Sequence, residues 1–381
     1  MDVQKNDHKI LAISGDDINN MGGGEKALLS LCNTMEMNIL SINRRVKDGF
    51  QMKLPDRCSV IYIRTLGLKL GSSTLYIPAG LFTGQAIKRT RNFSFLISFS
   101  SNIFTILFTV LIRKLEKKPI LLFLHDPTVF ERSNGINTIY RKLQLILIKF
   151  VPNLHVELPD QASFLIRNGY RGRIHQFPIY FPINVDKNDI KPAKRFIVLF
   201  VGRMDIRQKG IDLLVEIVRN VVSRGAHIEF HIVGADYGGA QMIKQVESEF
   251  PDTVKYLGRV AEEHLRKEYQ QSSLFICTSR YETLGLSVLE AMNFGIKVIS
   301  FDVSGPNTLV EERFGVRIKP FDNRKFAEAV YGSYKMWNDD PGRYNDERLQ
   351  RIEDFKEKFE LNGLILKVRE MLDIASVAVV Q

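Results

Sequence analysis

Residues 195–214 have the sequence RFIVLFVGRMDIRQKGIDLL, in which an apolar run is followed by a polar loop and then by apolar residues at helical spacing. The run Phe196–Val201 predicts a strand, because a short uninterrupted apolar segment that ends at a glycine is typical of a strand buried on both faces. The stretch Ile211–Arg224 predicts the helix that follows. A strand, a loop and a helix in this order indicate a βαβ unit of a parallel sheet.

The same alternation continues on both sides of this segment. Downstream, the pattern predicts the strands Glu229–Val233, Val254–Leu257, Leu274–Cys277 and Lys297–Phe301 and the helices Ala240–Phe250, Glu262–Gln271 and Gly285–Phe294. Upstream, it predicts the strands His8–Ser14, Met37–Ile42, Val60–Ile63, Phe93–Phe99, Ile120–His125 and His155–Leu158. The sequence therefore predicts an α/β protein with two doubly wound, Rossmann-like domains.

The chain length fits this division. At roughly 100–200 residues per domain, 381 residues correspond to two or three domains. A polar stretch with Pro192, residues 184–194, predicts a linker between the two series of strands. We expect an amino-terminal domain over residues 1–190, a second domain over 191–345 and a helical tail over 346–381 that returns to the first domain.

The composition is that of a folded protein, with 45% hydrophobic and 25% charged residues, and it excludes a disordered or fibrous chain. The three cysteines, Cys32, Cys58 and Cys277, are too few and too far apart in sequence for a disulfide framework or a zinc site, and they fit a reducing compartment. The amino terminus has no secretory signal pattern. We therefore expect a cytoplasmic protein.

An uncharged stretch, Phe93–Ile112, has about the length that crosses a bilayer. Serines and Asn102 interrupt it, so we predict a strand, a loop at Ser100–Ser101 and a buried helix from about Asn102 to Leu115. A transmembrane helix and a surface helix that dips into lipid are the alternatives.

Two loops carry residue types that bind phosphate. The sequence GGGEK at Gly22–Lys26 lies between a predicted strand and helix, where glycines let the backbone approach an anion at the helix amino terminus. A tight turn is the alternative interpretation. Arg203 and Lys209 lie six residues apart after Phe196–Val201 and offer a forked donor and a point charge for phosphate oxygens. Two solvated loop charges are the alternative there.

The segment Ser279–Gly295, SRYETLGLSVLEAMNFG, places seven residues between Glu282 and Glu290. Glu290 has apolar neighbours, so its carboxylate needs a hydroxyl or cationic partner, and a carboxylate can accept two hydrogen bonds from a sugar diol. Thr283, Leu284, Gly285 and Leu286 are predicted to form the helix amino terminus, whose backbone N–H groups can bind phosphate. A helix cap at Glu282 and an exposed Glu290 are the alternatives.

Together these motifs resemble the retaining glycosyltransferases of family 4, which have the GT-B fold. The matching pieces, in order, are GGGEK, GRMDIRQKGIDLL from Gly202, IVGADYGG at Ile232–Gly239, YLGRV at Tyr256–Val260 and SRYETLGLSVLEAM. The resemblance covers essentially the whole chain and is dense from Phe196 to Pro306. It implies two Rossmann-like domains facing each other across a cleft, and retaining transfer of a sugar from a nucleotide-diphosphate donor to an acceptor.

The resemblance also implies roles for individual residues. The implied catalytic residues are His125, Glu282, Arg203 and Lys209, and the implied donor-binding residues are Gly22, Gly23, Arg203, Lys209, Gly234, Thr283, Leu284, Gly285, Leu286 and Glu290. In these sets Arg203 and Lys209 neutralise the diphosphate, Glu290 holds the ribose hydroxyls and Glu282 faces the donor sugar. His125, in LLFLHDP, lies near the donor sugar and acceptor, with Asp126 as a further polar contact; a strand-end histidine is the alternative.

Two segments depart from the family pattern and leave the donor class open. The segment His175–Asp186 lacks a common glycine, and FDVSGPNTLVEE, with Gly305 and Glu311, matches only loosely. With two cations at the diphosphate and no suitably placed Asp-x-Asp arrangement, we expect neither a metal nor another cofactor. An epimerase acting on a nucleotide sugar and a catalytically silent partner subunit are the alternative functions.

The distribution of charge along the sequence limits which classes of binding partner fit the protein. The net charge is +10, and residues 1–190 hold 25 basic and 15 acidic residues whereas residues 191–381 hold 28 of each. The sequence contains neither a basic run interleaved with aromatic residues nor a known nucleic-acid-binding module, so the charge does not indicate binding to nucleic acid. The cations beside the apolar stretch are Lys88, Arg89, Arg91, Arg113, Lys114, Lys117 and Lys118. We therefore expect a lipid-linked or saccharide acceptor and attraction to an anionic membrane surface, with the protein peripheral on its inner face.

Overall fold

The computed structural model describes residues 9–14, 23–32, 36–42, 58–63, 66–70, 73–77, 83–99, 102–124, 129–130, 136–180 and 183–377. The chain folds into two compact units. The first comprises Met1–Phe181 together with Asn362–Gln381, and the second comprises Pro182–Leu361. Each unit contains its own parallel sheet, which confirms the predicted doubly wound α/β class.

The first unit contains nine described strands, β1 (Ile10–Ser14), β2 (Met37–Ile42), β3 (Cys58–Ile63), β4 (Leu66–Leu70), β5 (Ser73–Ile77), β6 (Phe95–Phe99), β7 (Ile120–Phe123), β8 (Asn153–Val156) and β9 (Arg173–Gln176). Seven of them form a parallel sheet in the order β3-β2-β1-β6-β7-β8-β9, and β4 pairs with β5 as an antiparallel hairpin.

Helices cover both faces of this sheet. They are α1 (Gly23–Cys32), α2 (Gly84–Thr90), α3 (Ile103–Glu116), α4 (Ile136–Ile148) and α5 (Pro159–Arg167), joined by the last helix of the chain, Leu361–Val377. Strand β1 is buried on both sides, because alternate residues point in opposite directions. Leu11 and Ile13 enter the core beneath α3, α4 and α5, and Ile10 and Ala12 enter the core beneath α1 and the last helix.

The uncharged stretch Phe93–Ile112 divides between β6 and α3, as the serines and Asn102 predict. The Asn102 side chain accepts a hydrogen bond from the backbone N–H of Phe104 at 2.9 Å and so caps the start of α3. The helix ends at Lys117, whose φ of +50° is left-handed. Within the described ranges, no helix is both long and apolar enough to span a membrane.

The second unit contains six strands, β10 (Phe196–Val201), β11 (Ile228–Val233), β12 (Val254–Gly258), β13 (Leu274–Cys277), β14 (Lys297–Phe301) and β15 (Gly315–Ile318). They form a parallel sheet in the order β12-β11-β10-β13-β14-β15. Its helices are α6 (Ile206–Lys209), α7 (Ile211–Val222), α8 (Ala240–Glu249), α9 (Glu262–Gln271), α10 (Leu286–Asn293), α11 (Pro306–Leu309), α12 (Asn323–Asp339) and α13 (Pro341–Lys358), and the last helix of the chain is α14.

The predicted tail over residues 346–381 divides between the units. The end of α13 belongs to the second unit, where Ile352 and Phe355 are fully buried. Helix α14 belongs to the first unit, because Val368, Met371 and Ala375 lie on one side of the helix at intervals of three and four residues and enter the core.

The buried guanidinium of Arg348 attaches α13 to the ends of α9 and α10. Arg348 donates hydrogen bonds to the carbonyls of Tyr269 at 2.9 Å, Ser272 at 3.0 Å and Phe294 at 3.1 Å. Burial and the charge of the neighbouring Arg351 lower the pKa of Arg348 to about 10, so this arginine stays protonated near neutral pH. The three carbonyls follow or end α9 and α10, and Arg348 therefore holds the ends of both helices.

We expect Arg348→Met to lower the free energy of unfolding by about 3 kcal/mol, because it leaves three buried carbonyls without their donor. Arg343→Gln is the matched control on the same helix, since Arg343 is exposed and its ion pair with Glu347 contributes at most ~0.5 kcal/mol. Urea unfolding of the two variants measures the difference. Equal stability of the two variants would contradict the anchoring role.

Candidate functional site

The candidate residues of the second unit lie at the carboxyl ends of β10, β11 and β13, which are adjacent in the sheet. The chain runs outward from β10 to β11 and β12 on one side, and to β13, β14 and β15 on the other. In a parallel sheet, ligands usually bind at the carboxyl ends of the strands, at the point where the strand order reverses in this way.

A buried ion pair joins two of these loops. The Lys209 ammonium donates to the Glu282 carboxylate, and Ser279 Oγ donates to the same carboxylate oxygen at 2.6 Å. The side chains of Lys209 and Glu282 are 13% and 7% exposed. A charge at this depth is costly unless it is paired, and here the two opposite charges compensate each other.

The loop that carries Lys209 has a fixed backbone. Asp205 accepts hydrogen bonds from the backbone N–H groups of Arg207 at 2.8 Å and Gln208 at 2.9 Å, and it therefore caps the short helix α6. Thr278, which follows β13, donates through Oγ1 to the Lys209 carbonyl at 2.9 Å. The Lys209 backbone is thus tied to the end of β13.

Arg203 is exposed but oriented. Its Nη2 donates to the Gln208 side-chain oxygen at 2.6 Å, and its guanidinium lies 5.1 Å from the centre of the Tyr237 ring. A stacked guanidinium keeps its forked donor geometry, which suits a phosphate or carboxylate ligand.

Gly234 lets the loop after β11 pack against the loop after β10. Its φ is +151°, and a Cβ atom there would lie 1.7 Å from the Gly202 carbonyl oxygen. Beyond it, Asp236 accepts from the backbone N–H groups of Ala240 at 3.1 Å and Gly238 at 2.8 Å, and these hydrogen bonds lower the pKa of the Asp236 carboxyl. No larger residue fits at Gly234 without separating the two loops.

Helix α10 begins one residue later than the sequence pattern predicts. Gly285 has a left-handed φ of +92° and precedes the first helical residue, Leu286, because glycine adopts this conformation without steric cost. Thr283 and Leu284 therefore lie before the helix, and Leu284 is buried. Of the four residues predicted at the helix start, only Gly285 and Leu286 lie where the first backbone N–H groups lack acceptors within the helix.

Glu290 is buried on the second turn of α10. The Tyr269 hydroxyl of α9 donates to Glu290 Oε2 at 2.7 Å, and this supplies the hydroxyl partner that its apolar sequence context requires. Tyr269 in turn stacks on Phe294, with ring centres 5.4 Å apart. Neither an exposed Glu290 nor a helix cap at Glu282 agrees with this arrangement, since Gly285 occupies the cap position.

The sequence pattern did not identify the groups that hold the site residues. Arg280 donates to both carboxylate oxygens of Asp212 at 2.8 and 2.7 Å and to the Ile206 carbonyl at 2.7 Å. The Arg280 hydrogen bond lowers the pKa of Asp212 although partial burial opposes the shift. The only indication in the sequence was position: Arg280 directly follows Ser279, and Asp212 lies two residues after Gly210. Tyr269 lies 21 residues from Glu290, and no spacing rule connects them.

The predicted residues of the first unit are described only in part. Gly22, His125 and Asp126 lie outside the described residues, and so does the loop that precedes GGGEK. Gly23 is the first residue of α1, and β7 ends at Phe123, two residues before His125. The roles of Gly22, Gly23 and His125 stay predictions. Within the described part of the chain, no group of three or more His, Cys, Asp or Glu side chains is arranged to hold a metal ion.

Comparisons with known proteins match the segment that carries this candidate site. Residues 195–335 match the family model described as glycosyl transferases group 1. Over 138 residues the chain is 30% identical to the alpha-D-kanosaminyltransferase of Streptomyces kanamyceticus, an alignment that covers 36% of this chain and 36% of that enzyme. The matched region thus spans little more than a third of this curated relative.

Two solved structures resemble nearly the whole chain. Sucrose-phosphate synthase from Thermosynechococcus elongatus has a TM-score of 0.73 at 19% identity, with 97% of this chain and 100% of that one covered. Anabaena HepE, solved with UDP and glucose, has a TM-score of 0.74 at 16% identity, with coverages of 96% and 99%. The fold is therefore GT-B, and residues 195–335, the segment that carries the candidate site, match the model of the group 1 glycosyl transferases.

Proposed function

We propose that this protein is a retaining glycosyltransferase that moves a sugar from a nucleotide-diphosphate-sugar to an acceptor. The observation that carries the proposal is the joint placement of Lys209, Glu282 and the start of α10 at one edge of the second sheet, with Arg203 in the same loop as Lys209. The match of residues 195–335 to the model of the group 1 glycosyl transferases supports the same reaction class.

The cations would act on the leaving group. As the bond between the sugar and the diphosphate breaks, negative charge develops on the phosphate oxygens. Arg203, Lys209 and the backbone N–H groups of Gly285 and Leu286 would stabilise that charge, because they are oriented before the reaction begins. In the present structure Lys209 is bound to Glu282, so binding of the diphosphate would share the ammonium between the carboxylate and the phosphate.

Glu290 and Glu282 would hold the sugar-bearing parts of the donor. The Glu290 carboxylate, which accepts a hydrogen bond from Tyr269, would accept hydrogen bonds from the two hydroxyls of a ribose. Glu282 would face the donor sugar, and its bonds to Lys209 and Ser279 would keep its carboxylate oriented. No side chain is assigned as a covalent nucleophile.

We propose that the reaction needs no metal, because Arg203 and Lys209 supply positive charge where other transferases bind a divalent cation. The acceptor that fits the sequence is a lipid-linked saccharide or a growing cell-surface glycan. The excess of basic residues over residues 1–190 supports peripheral attachment to an anionic membrane, with the protein on the cytoplasmic side.

The proposal is tested with a panel of UDP-, GDP- and dTDP-sugars, first by thermal shift and then by transfer to membrane-extracted lipid acceptor in the presence of EDTA. We expect one donor class to raise the melting temperature and to give a product with the anomeric configuration of the donor. A product of inverted configuration would contradict retention, loss of transfer with EDTA would contradict metal independence, and epimerised nucleotide sugar without acceptor would indicate the epimerase.

Three substitutions test the site itself. We expect Lys209→Ala, Arg203→Ala and Glu290→Ala each to weaken binding of the selected nucleotide by about 10- to 100-fold, because each removes a charged partner of the ligand. Isothermal titration measures the affinity. Lys325→Ala, an exposed cation on α12 of the same unit, is the control and should bind as the wild type does. Wild-type affinity in all three site variants would refute the assignment.

The bond between Tyr269 and Glu290 has a separate consequence. We expect Tyr269→Phe to weaken nucleotide binding by about tenfold, because the Glu290 carboxylate loses the donor that orients it. Tyr344→Phe is the matched control: its hydroxyl is also buried but donates to the Ser273 carbonyl at 3.1 Å, so the variant should lose stability without losing affinity. Titration together with urea unfolding separates the two effects, and equal affinity losses in both variants would contradict a specific role for Tyr269.

A further inference from the structure

The outward side of α4 is apolar although it faces solvent. Ile139, Leu143 and Ile146 of α4, and Phe150 in the turn that follows the helix, are between 47% and 60% exposed. The spacings of four and three residues within α4 are those of a single helical stripe, and Phe150 follows Ile146 by four residues. Single exposed apolar residues are common on protein surfaces, but four in one line form a contiguous apolar patch.

Two lysines lie in the same line. Lys142 and Lys149 are exposed at positions that belong to the stripe, and Ile139, Lys142, Leu143 and Ile146 fall within about 100° of helix arc at 3.6 residues per turn. We call Ile139, Lys142, Leu143, Ile146, Lys149 and Phe150 the α4 stripe. On the opposite side of the helix, Gln144 and Ile148 are buried, and Ile148 belongs to the core of the first unit, so the inward side of α4 is already used by the core.

The neighbouring helix extends this surface. Leu107, Lys114 and Leu115 of α3 are exposed, and the Lys114 ammonium lies 5.7 Å from the centre of the Phe150 ring. The two helices are joined by a hydrogen bond from Arg113 to the Phe150 carbonyl at 2.9 Å and by one from the Ile103 N–H to the Tyr140 hydroxyl at 3.3 Å. The α4 stripe and the outer side of α3 therefore lie side by side and form one surface.

The charge of this surface has one sign. Residues 102–115 and 136–150 contain no aspartate or glutamate. Glu116, at the end of α3, is held by Lys118 at 2.9 Å. Among the described residues, Lys114, Lys142 and Lys149 form no ion pair. A partner that covers the surface must therefore supply both apolar contact and negative charge.

We propose that the α4 stripe and the adjoining side of α3 insert into the interface of an anionic membrane. Isoleucine, leucine and phenylalanine side chains enter the boundary between headgroups and acyl chains, and the lysines extend to the lipid phosphates, which is how interfacial amphipathic helices bind. The proposed function includes attachment to a membrane, and this proposal names the surface that makes the attachment. It rests on the proposed function only for the choice of a membrane as the partner.

A second copy of the chain fits this surface less well. Two α4 stripes placed against each other would oppose Lys142 and Lys149 to cations of the same kind, and neither stripe contains a carboxylate to neutralise them. An anionic lipid surface has no such conflict, because its charge is opposite and its interior is apolar.

Binding to vesicles tests the proposal without donor or acceptor. We expect the full-length protein to float with phosphatidylcholine vesicles that contain phosphatidylglycerol, and to bind weakly to pure phosphatidylcholine. Lys142→Gln with Lys149→Gln should weaken binding by about thirtyfold, at about 1 kcal/mol per lysine, and Leu143→Glu with Ile146→Glu should abolish it. All four side chains are exposed, so the variants keep the core intact.

Helix α14 provides matched controls, since it covers the other face of the same sheet. Leu366→Glu replaces a similarly exposed leucine, and Lys367→Gln with Arg369→Gln removes two exposed cations. Both controls should bind vesicles as the wild type does. Wild-type binding by the Leu143/Ile146 variant, or equal losses in the α14 controls, would overturn the proposal, and so would loss of a dimer in that variant with no change in vesicle binding.

Tryptophan fluorescence measures insertion directly. The natural chain has one tryptophan, Trp337, which lies in the second unit. In Phe150→Trp, the added indole should shift to the blue on anionic vesicles and be quenched by brominated lipid, whereas Trp337 in the wild-type protein should not be quenched. If brominated lipid leaves the added indole unquenched, insertion is overturned. Nucleotide titration of the same variants keeps the two proposals apart, because vesicle binding fails independently of donor binding.

Discussion

The ion pair between Lys209 and Glu282 is the contact on which the candidate site depends. It joins the loop after β10 to the loop after β13, two segments 73 residues apart in the chain. Burying the two charges is unfavourable by itself, and removing either partner would leave the other charge uncompensated. Ser279 donates to Glu282, and Thr278 donates to the Lys209 carbonyl, so both sides of the pair are held in place. Such a pair fixes the relative position of the two loops more than it adds to stability.

The same constraint explains why the surrounding groups are so extensively bonded. Arg280 clamps Asp212 at the start of α7 and the Ile206 carbonyl of α6, and thereby joins the β10 loop to the β13 loop a second time. On the other side of β10, the close approach of Gly234 to Gly202 brings in the β11 loop. Three loops that would otherwise move separately form one rigid edge. A ligand that binds there meets donors already in position, and little of its binding energy is lost in ordering them.

The sequence predicts the second unit better than its site. The bounds of β10, β13, β14 and α9 agree to the residue. For the three strands the reason is that short apolar runs between polar or glycine residues leave little freedom in where a strand ends. The hairpin of β4 and β5 was not predicted, because its strands mix apolar with polar and glycine residues and resemble loops. The start of α10 depends on the left-handed backbone conformation of Gly285, which cannot be read from the amino-acid sequence alone. Contacts such as Tyr269 with Glu290 arise only from packing α9 against α10, so the sequence indicated the need for a partner but not its identity.

In the first unit, the number of basic residues in the sequence does not show which of them are available to a partner. The sequence drew attention to the cations around α3, yet Lys118 is bound to Glu116 and to the Thr90 carbonyl, and Arg113 is bound to the Phe150 carbonyl. These residues stabilise the fold, and their charge is only partly available to a partner. The exposed cations with apolar neighbours are Lys114 on α3, Lys142 on α4 and Lys149 directly after α4, and the sequence pattern predicted no site on α4. Because helix α4 buries only one side, its composition of eight aliphatic or aromatic residues in thirteen exceeds what its core contact needs. The excess lies on the outward side together with the lysines, and an interface that is both apolar and anionic is the environment in which such a helix side is stable.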